Sequence, residues 1–424
     1  MGLKLAVVGG GSTYTPELVD GFARRRERVT VDEMVLMDID RERLEIVGGL
    51  ADRMLKRQGW PGRLVCTDDR SAALDGADIV LIQLRIGGQQ ARFGDETLPK
   101  RWELIGQETV GAGGFAKALR TVPVVLDIAE ESERRSAPDA WIVDFTNPVG
   151  IVTQALADAG RRSLGLCNVA IGFQRRFAKR FGVEPERVEL DQVGLNHLTW
   201  IRAVRVDGED RLPEILASDG AEIARDVGEP LERLRALGVI PSYYLRYYDD
   251  TEHVLAEQAA HETRAAEVMK IERDLLELYR DPTLDTKPEL LEHRGGAFYS
   301  EAAAQLIASL VDGRGDVQVV DVRNDGAFPG LAADDVVEIP ARIDRAGAHP
   351  LPLAPLPPEL LDLVSRVKTY ERLTVRAATT GDRTVARAAL AANPVAGGPE
   401  MSGQLLDAIL EENRRWLPRF FADD

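Results

Sequence analysis

Short apolar runs alternate with longer amphipathic stretches along the first third of the chain, and that rhythm predicts its elements. Leu3 to Val8 is an apolar run that ends at Gly9, Gly10, Gly11 and Ser12. A helical pattern follows from Thr15, with Pro16 suited to a first turn, where a missing N–H costs nothing. Met34 to Met37 is apolar and stops at Asp38, and Asp40 opens a second helix. The pattern then predicts a strand near Arg63 to Cys66, a helix near Ser71, a strand over Ala77 to Leu84, a helix over Lys117 to Arg134 and a strand over Ala140 to Phe145. Another apolar run, Ser163 to Leu166, leads through Cys167 and Asn168 into a further helix. Such alternation predicts an α/β fold with a parallel, doubly wound sheet. Ligands of such sheets bind beyond the carboxyl ends of the strands, and LRIGGQQAR and DFTNPVG both follow strand ends. No internal repeat is visible. The proline-rich segment 350–358 reads as a connector between helices.

Strand, glycine turn and helix together form the context in which a glycine motif has chemical meaning. Glycines let the backbone approach a pyrophosphate, whose charge the helix N-terminus stabilises. Gly9, Gly10, Gly11, Ser12 and Thr13 are therefore candidate dinucleotide contacts. The pattern departs from GxGxxG, because Tyr14 stands where a third glycine would be. Asp38, at the tip of the second strand, is placed to read a ribose hydroxyl and to repel a 2′-phosphate, which favours NAD over NADP. Its alternative role is a helix cap.

Length and charge bound the remaining readings. A chain of 424 residues suggests two or three domains. Two cysteines cannot form a disulfide framework. The opening MGLKLAVVGGGS is too short in its apolar run for a signal peptide, and no stretch is long and apolar enough for a bilayer span. These features favour a reducing, cytoplasmic setting. A net charge of -17 argues against nucleic acid as a partner. It leaves room for a small anionic substrate held by a local group of arginines.

Beyond Gly165 three stretches carry possible chemistry: Cys167 with Asn168, VGLNHLTW around His197, and IPSYYLRYYDD followed by HETRAAEVMKIER. Singly, each has an ordinary structural reading. Cys167 suits a buried small hydrophobe, His197 a core histidine, the tyrosines an aromatic core stripe and Arg264 a solvated helix face.

In combination, GGGSTYTPEL, LRIGGQQAR, IGQETVGAGG, DFTNPVG, CNV, GLNHL, YLRYY, HRGGAFYSEAA and RNDGAFPGLAADDVVEIP, in this order, resemble the signatures of glycoside hydrolase family 4, the NAD-dependent glycosidases. The CNV form and the YLRYY run point to its 6-phospho-β-glucosidase branch. The resemblance implies a Rossmann-like NAD-binding domain (1–165) and a larger α+β domain for metal and substrate (166–424), related to lactate and malate dehydrogenases. It implies Cys167 and His197 as ligands of a divalent metal, Mn2+ in this family, and Tyr244 as the catalytic base. Arg264 matches a phosphate-binding arginine, with Arg85 beside it. Asn147 matches a cofactor and substrate contact, Asn168 a substrate contact, and Glu108 a further one. The implied reaction hydrolyses 6-phospho-β-glucosides, such as cellobiose 6-phosphate or a phosphorylated aryl glycoside, without paired carboxylates. NAD+ oxidises C3, a tyrosinate removes the C2 proton, the aglycone leaves, water adds, and the ketone is reduced again. A homodimer or homotetramer is implied as well. The chain departs from the family at Ala170, usually proline, and at Asp249 and Asp250, which would add negative charge near the pocket. Three other readings compete: a 2-hydroxyacid-type dehydrogenase with His197 as base, a hydrolase of unphosphorylated glycosides from the same family, and a non-catalytic NAD-binding sensor.

Overall fold

Strands β1 (Leu3–Val8), β2 (Val31–Met37), β3 (Arg63–Thr67), β4 (Ile79–Ile82), β5 (Trp141–Asp144) and β6 (Ser163–Gly165) are joined by helical crossovers. They pair in parallel in the order 3-2-1-4-5-6 in the computed structural model, which describes residues 2–296 and 298–422. β1 and β4 are apolar on both faces, as a sheet covered on both sides requires. The strand order reverses between β1 and β4, and the crevice there is where a doubly wound sheet takes its ligand.

The second half of the chain adds β7 (Val188–Leu195), β8 (Leu198–Val206), β9 (Glu209–Asp210) and β10 (Ile240–Pro241), which form a separate antiparallel sheet. Then β11 (Asp316–Arg323), β12 (Val336–Asp344) and β13 (Gly347–Pro350) return to the first sheet and extend it beyond β6 in antiparallel fashion. β12 packs against β7, so the two sheets meet there. Helix Arg264–Tyr279 lies against helices Gly88–Thr97 and Arg41–Arg57, and Pro358–Thr380 lies against Gly111–Arg135. No helix among the described residues is long and apolar enough to cross a membrane.

Two elements differ from the sequence expectation. The helix expected from Lys117 starts at Gly111. Its first turn is glycine-rich because backbone passes close by: a β-carbon on Gly113 would stand 2.3 Å from the Gln107 carbonyl oxygen and 2.4 Å from that of Asp95. Glycine there lowers helix propensity, and the close approach is its reason. The proline-rich segment 350–358 connects β13 to helix Pro358–Thr380, not one helix to another.

Candidate active site

The carboxyl ends of β1, β2, β4, β5 and β6 open onto one cavity of about 1470 Å³. Its lining includes Gly9, Gly11, Ser12, Asp38, Arg85, Glu108, Asn147, Asn168, Tyr244 and Arg264, so residues from widely separated stretches meet in one place.

On the β1–β2 side the backbone is crowded. The amides of Gly9 and Gly10 both donate to the Met37 carbonyl, at 2.9 and 2.8 Å. Gly9 has φ +96°, and a β-carbon on it would meet the Gln83 carbonyl at 2.5 Å. A β-carbon on Gly11 would fall 2.8 Å from Asp38 Oδ2. The Gly11 amide instead donates to that oxygen at 2.9 Å, and the Asp40 amide donates to Asp38 Oδ1 at 3.0 Å. The helix cap is Asp40, which accepts from the Arg43 amide at 3.1 Å. Asp38 is therefore not the cap and stands at the cavity wall. Thr13 is buried, and its hydroxyl accepts from Arg294 Nε at 2.7 Å. Tyr14, in place of the third glycine, packs edge-on to Tyr299 with ring centroids 6.2 Å apart. The glycine that makes room for it is distant in sequence: a β-carbon on Gly296 would lie 2.8 Å from the Tyr14 ring.

Charge concentrates around Glu108. This buried carboxylate accepts from Arg85, from Lys117 Nζ at 2.5 Å and lies 3.2 Å from Arg92 Nε. Burial alone would raise its pKa, yet Arg85, Lys117 and Arg92 together hold it well below the ordinary carboxylate value. Burial and the Arg85 charge depress Lys117 to about 7. Arg85 and Glu108, expected as separate substrate contacts, thus bind each other in the ligand-free protein. Arg92 and Lys117 carry no role in the sequence motifs. The available signal was Lys117 itself, a cation inside the apolar run Phe115–Leu119.

His197 is only 5% exposed and occupies the turn between β7 and β8 with φ +66°. Its Nδ1 is 3.1 Å from Thr109 Oγ1, and burial, with a smaller push from Lys117, lowers its pKa to about 3. The imidazole is neutral, as a metal ligand must be. The Tyr244 ring lies flat on it, 3.6 Å between centroids and 5° between planes. Tyr243 and Tyr244 both line the cavity and pack against one core cluster, but Tyr243 stacks on Phe173 and Tyr244 on His197. Burial pushes the Tyr244 hydroxyl upward, and Cys167 adds to the shift. Cys167 is buried at the N-cap of helix Asn168–Phe181, and burial, reinforced by Glu338, pushes its thiol well above the usual value. Neither Cys167 nor His197 is in the lining of the main cavity, and Cys167 borders a separate space of about 50 Å³. Among the described residues no three His, Cys, Asp or Glu side chains form a ready metal cage. Asn147 lines the cavity, and its buried Oδ1 has no hydrogen-bond partner among the described residues.

Arg264 stands at the exposed rim, donating to the His293 carbonyl at 2.6 Å and to Glu267 at 3.0 Å. Arg294, in the HRGG stretch and without an expected role of its own, is the more buried arginine, bound to Glu272 at 3.1 Å. Asp249 and Asp250 do not line the cavity: Asp249 pairs with Arg233 at 3.1 Å, and Asp250 precedes helix Thr251–Ala260. The expected extra negative charge at the pocket is thereby removed. Ala170 is buried in the core cluster that holds Phe173.

Two family models match the chain, Family 4 glycosyl hydrolase over residues 4–183 and Family 4 glycosyl hydrolase C-terminal domain over residues 192–396. The chain is 42% identical over 436 residues to the probable 6-phospho-β-glucosidase of Bacillus subtilis (strain 168), covering 99% of this chain and 98% of that protein. It superposes on the 6-phospho-β-glucosidase of Thermotoga maritima, solved with manganese, NAD+ and glucose 6-phosphate, with a TM-score of 0.92 and 37% identity over 98% of this chain and 99% of that one. Malate dehydrogenase from Salinibacter ruber, 15% identical with a TM-score of 0.55, shares the fold alone. With both halves matched in order and relatives aligned almost end to end, the chain belongs to family 4 of the glycosyl hydrolases.

Proposed function

We propose that this protein hydrolyses 6-phospho-β-glucosides, using NAD+ and a divalent cation such as Mn2+. The observation that carries the reading is Tyr244, a wall of the cavity that also holds the glycine loop, lying flat against His197. The names of the Bacillus and Thermotoga relatives, and the ligands of the solved Thermotoga enzyme, support the substrate class.

The residues present suit both groups. The crowded glycines leave no β-carbon between the chain and a dinucleotide, Asp38 faces the cavity for a ribose, and Asn147 has an unused acceptor. Cys167 and a neutral His197 would supply two donors to a divalent cation. When bound, NAD+ accepts a hydride from C3, and the cation polarises the C3 oxygen and makes the C2 hydrogen acidic.

Tyr244 then takes the C2 proton on its phenolate oxygen and returns one after water has added. An ordinary tyrosine titrates near 10, and burial holds Tyr244 above that in the ligand-free protein. Work at pH 7 requires a fall of at least three units, about 4 kcal/mol. One unit charge about 4 Å away supplies roughly that at an effective dielectric near 20. Tyr244 is therefore a base only in the loaded site. Arg264 and Arg85 recognise the 6-phosphate, with Glu108 holding Arg85 until the substrate arrives. Asn147 and Asn168 orient the sugar hydroxyls. In this reading residues 1–165 bind NAD and lend Arg85, Glu108 and Asn147 to the substrate, while residues 166–424 supply the metal donors, the base and the other substrate groups. The protein works in the cytoplasm as a homodimer or homotetramer.

The test is a set of nitrophenyl glycosides, with and without 6-phosphate and in both anomeric forms, assayed in D2O with NAD+ and Mn2+. Cleavage of the 6-phospho-β-glucoside, dependent on NAD+ and without net NADH, is expected, with deuterium at C2 of the product. Steady accumulation of NADH would indicate a dehydrogenase instead.

A further inference from the structure

The His197 turn is unusual in how it is held. A φ of +66° is one that residues other than glycine adopt at some expense, Asn, Asp and His more readily than most. Asn196, which precedes it, is gripped from two sides. Its Nδ2 donates to Glu338 Oε2 on β12 at 2.9 Å. On the other side Gly150 makes room, since a β-carbon on it would stand 3.1 Å from Asn196 Cβ. Glu338 is 1% exposed, and its second oxygen accepts from Gln192 Nε2 on β7 at 2.6 Å. Both carboxylate oxygens are therefore committed to the strand and turn that present His197. Only amide groups, and no cation, offset its burial among the described residues. A buried carboxylate without a cation is a poor stabilising device, so stability does not explain a glutamate at this position.

We propose that Glu338, acting through Asn196, is the positioning residue that sets His197 as a donor to a divalent cation. The inference rests on the reading of Cys167 and His197 as the cation's donors. Asn196 directly precedes His197, so the hold on its side chain fixes the turn that presents this donor. Partners of this outer kind typically contribute ~10- to 100-fold in metal affinity.

Glu338→Gln keeps the size of the side chain but replaces two charged acceptors with one neutral acceptor and one donor, which weakens the hold on Asn196 and Gln192. Mn2+ is titrated into the chelator-treated, NAD+-loaded full chain, with free Mn2+ read by electron paramagnetic resonance, for wild type, Glu338→Gln, Cys167→Ser and His197→Asn. NAD+ affinity and melting temperature are followed alongside. The expected result is Mn2+ binding weakened ~10-fold or more in Glu338→Gln, with NAD+ affinity unchanged. Mn2+ binding as tight as wild type in Glu338→Gln, while Cys167→Ser loses it, overturns the positioning role and leaves the donor assignment intact. Unchanged binding in both Cys167→Ser and His197→Asn shows that the donor assignment itself has failed, and the proposal falls with it. If Glu338→Gln does not fold, Asn196→Ala, which leaves the bond between Gln192 and Glu338 in place, takes its part with the same expected and overturning results.

Discussion

At the tips of β1 and β2 the polar groups already have partners: Asp38 accepts two backbone amides, and Gly9 and Gly10 share the Met37 carbonyl. At the Tyr244 end the Tyr244 hydroxyl and Cys167 thiol are pushed upward, away from their ionised forms, while His197, pushed down to about 3, is kept neutral. The first region is a finished surface that a ligand can meet without rearrangement of charge. The second is buried, and its nearby cations Arg85, Arg92 and Lys117 are already bound to Glu108, so its chemistry waits for groups that arrive with their own charge. An aromatic base with a raised pKa is inert alone, which keeps a proton-abstracting site quiet until it is loaded.

The sharpest way to break this contrast is Tyr244→Phe. The ring and its stacking on His197 remain, while the proposed base is lost. Turnover should fall by ~10²- to 10⁴-fold, with the melting temperature close to wild type. Undiminished turnover would place the base elsewhere.

A smaller effect concerns His197 in the metal-free protein. Its pKa of about 3 in the folded state lies below the ordinary 6.5. Between those values the unfolded chain binds a proton that the folded chain refuses. Unfolding free energy should therefore decrease as pH drops below 6.5 and level off near 3, by at most about 1.4 kcal/mol per pH unit from this group. Urea unfolding of wild type and His197→Asn across that range isolates the contribution. Equal acid sensitivity in the two proteins would mean that His197 is not held neutral by the fold.

The smallest effect is expected at the rim. Arg264 is exposed and already bound to Glu267 and His293, and exposed ion pairs typically contribute ~1 kcal/mol or less. Arg264→Ala should raise KM for a phosphorylated substrate about five-fold and leave an unphosphorylated one unchanged. Equal changes for both would make Arg264 a structural residue and shift attention to Arg294.

The parallel sheet was legible because short apolar runs that stop at glycine or aspartate, each followed by helical periodicity, suit buried parallel strands and little else. The glycine loop, Asp38, Asn147 and Asn168 follow strand ends, and strand ends of such a sheet converge. Cys167, His197 and Tyr244 each had an ordinary alternative, and only the combined resemblance selected them. Arg92 and Arg294 stayed hidden because nothing local marks an arginine that will be buried, and Lys117 was marked only by its place in an apolar run at the start of the expected helix.

By itself the sequence determined the order of elements, the doubly wound architecture and the glycine-rich end of the cavity, since local periodicity and turn chemistry act over a few residues. Tertiary structure alone decided which charges meet. Glu108 gathers Arg85, Arg92 and Lys117; Gly296 makes room for Tyr14; and Glu338 grips the turn at His197 from a strand more than a hundred residues away. The reason is physical: desolvation and Coulomb interactions depend on burial and distance in space, and neither is written in the local pattern of a chain.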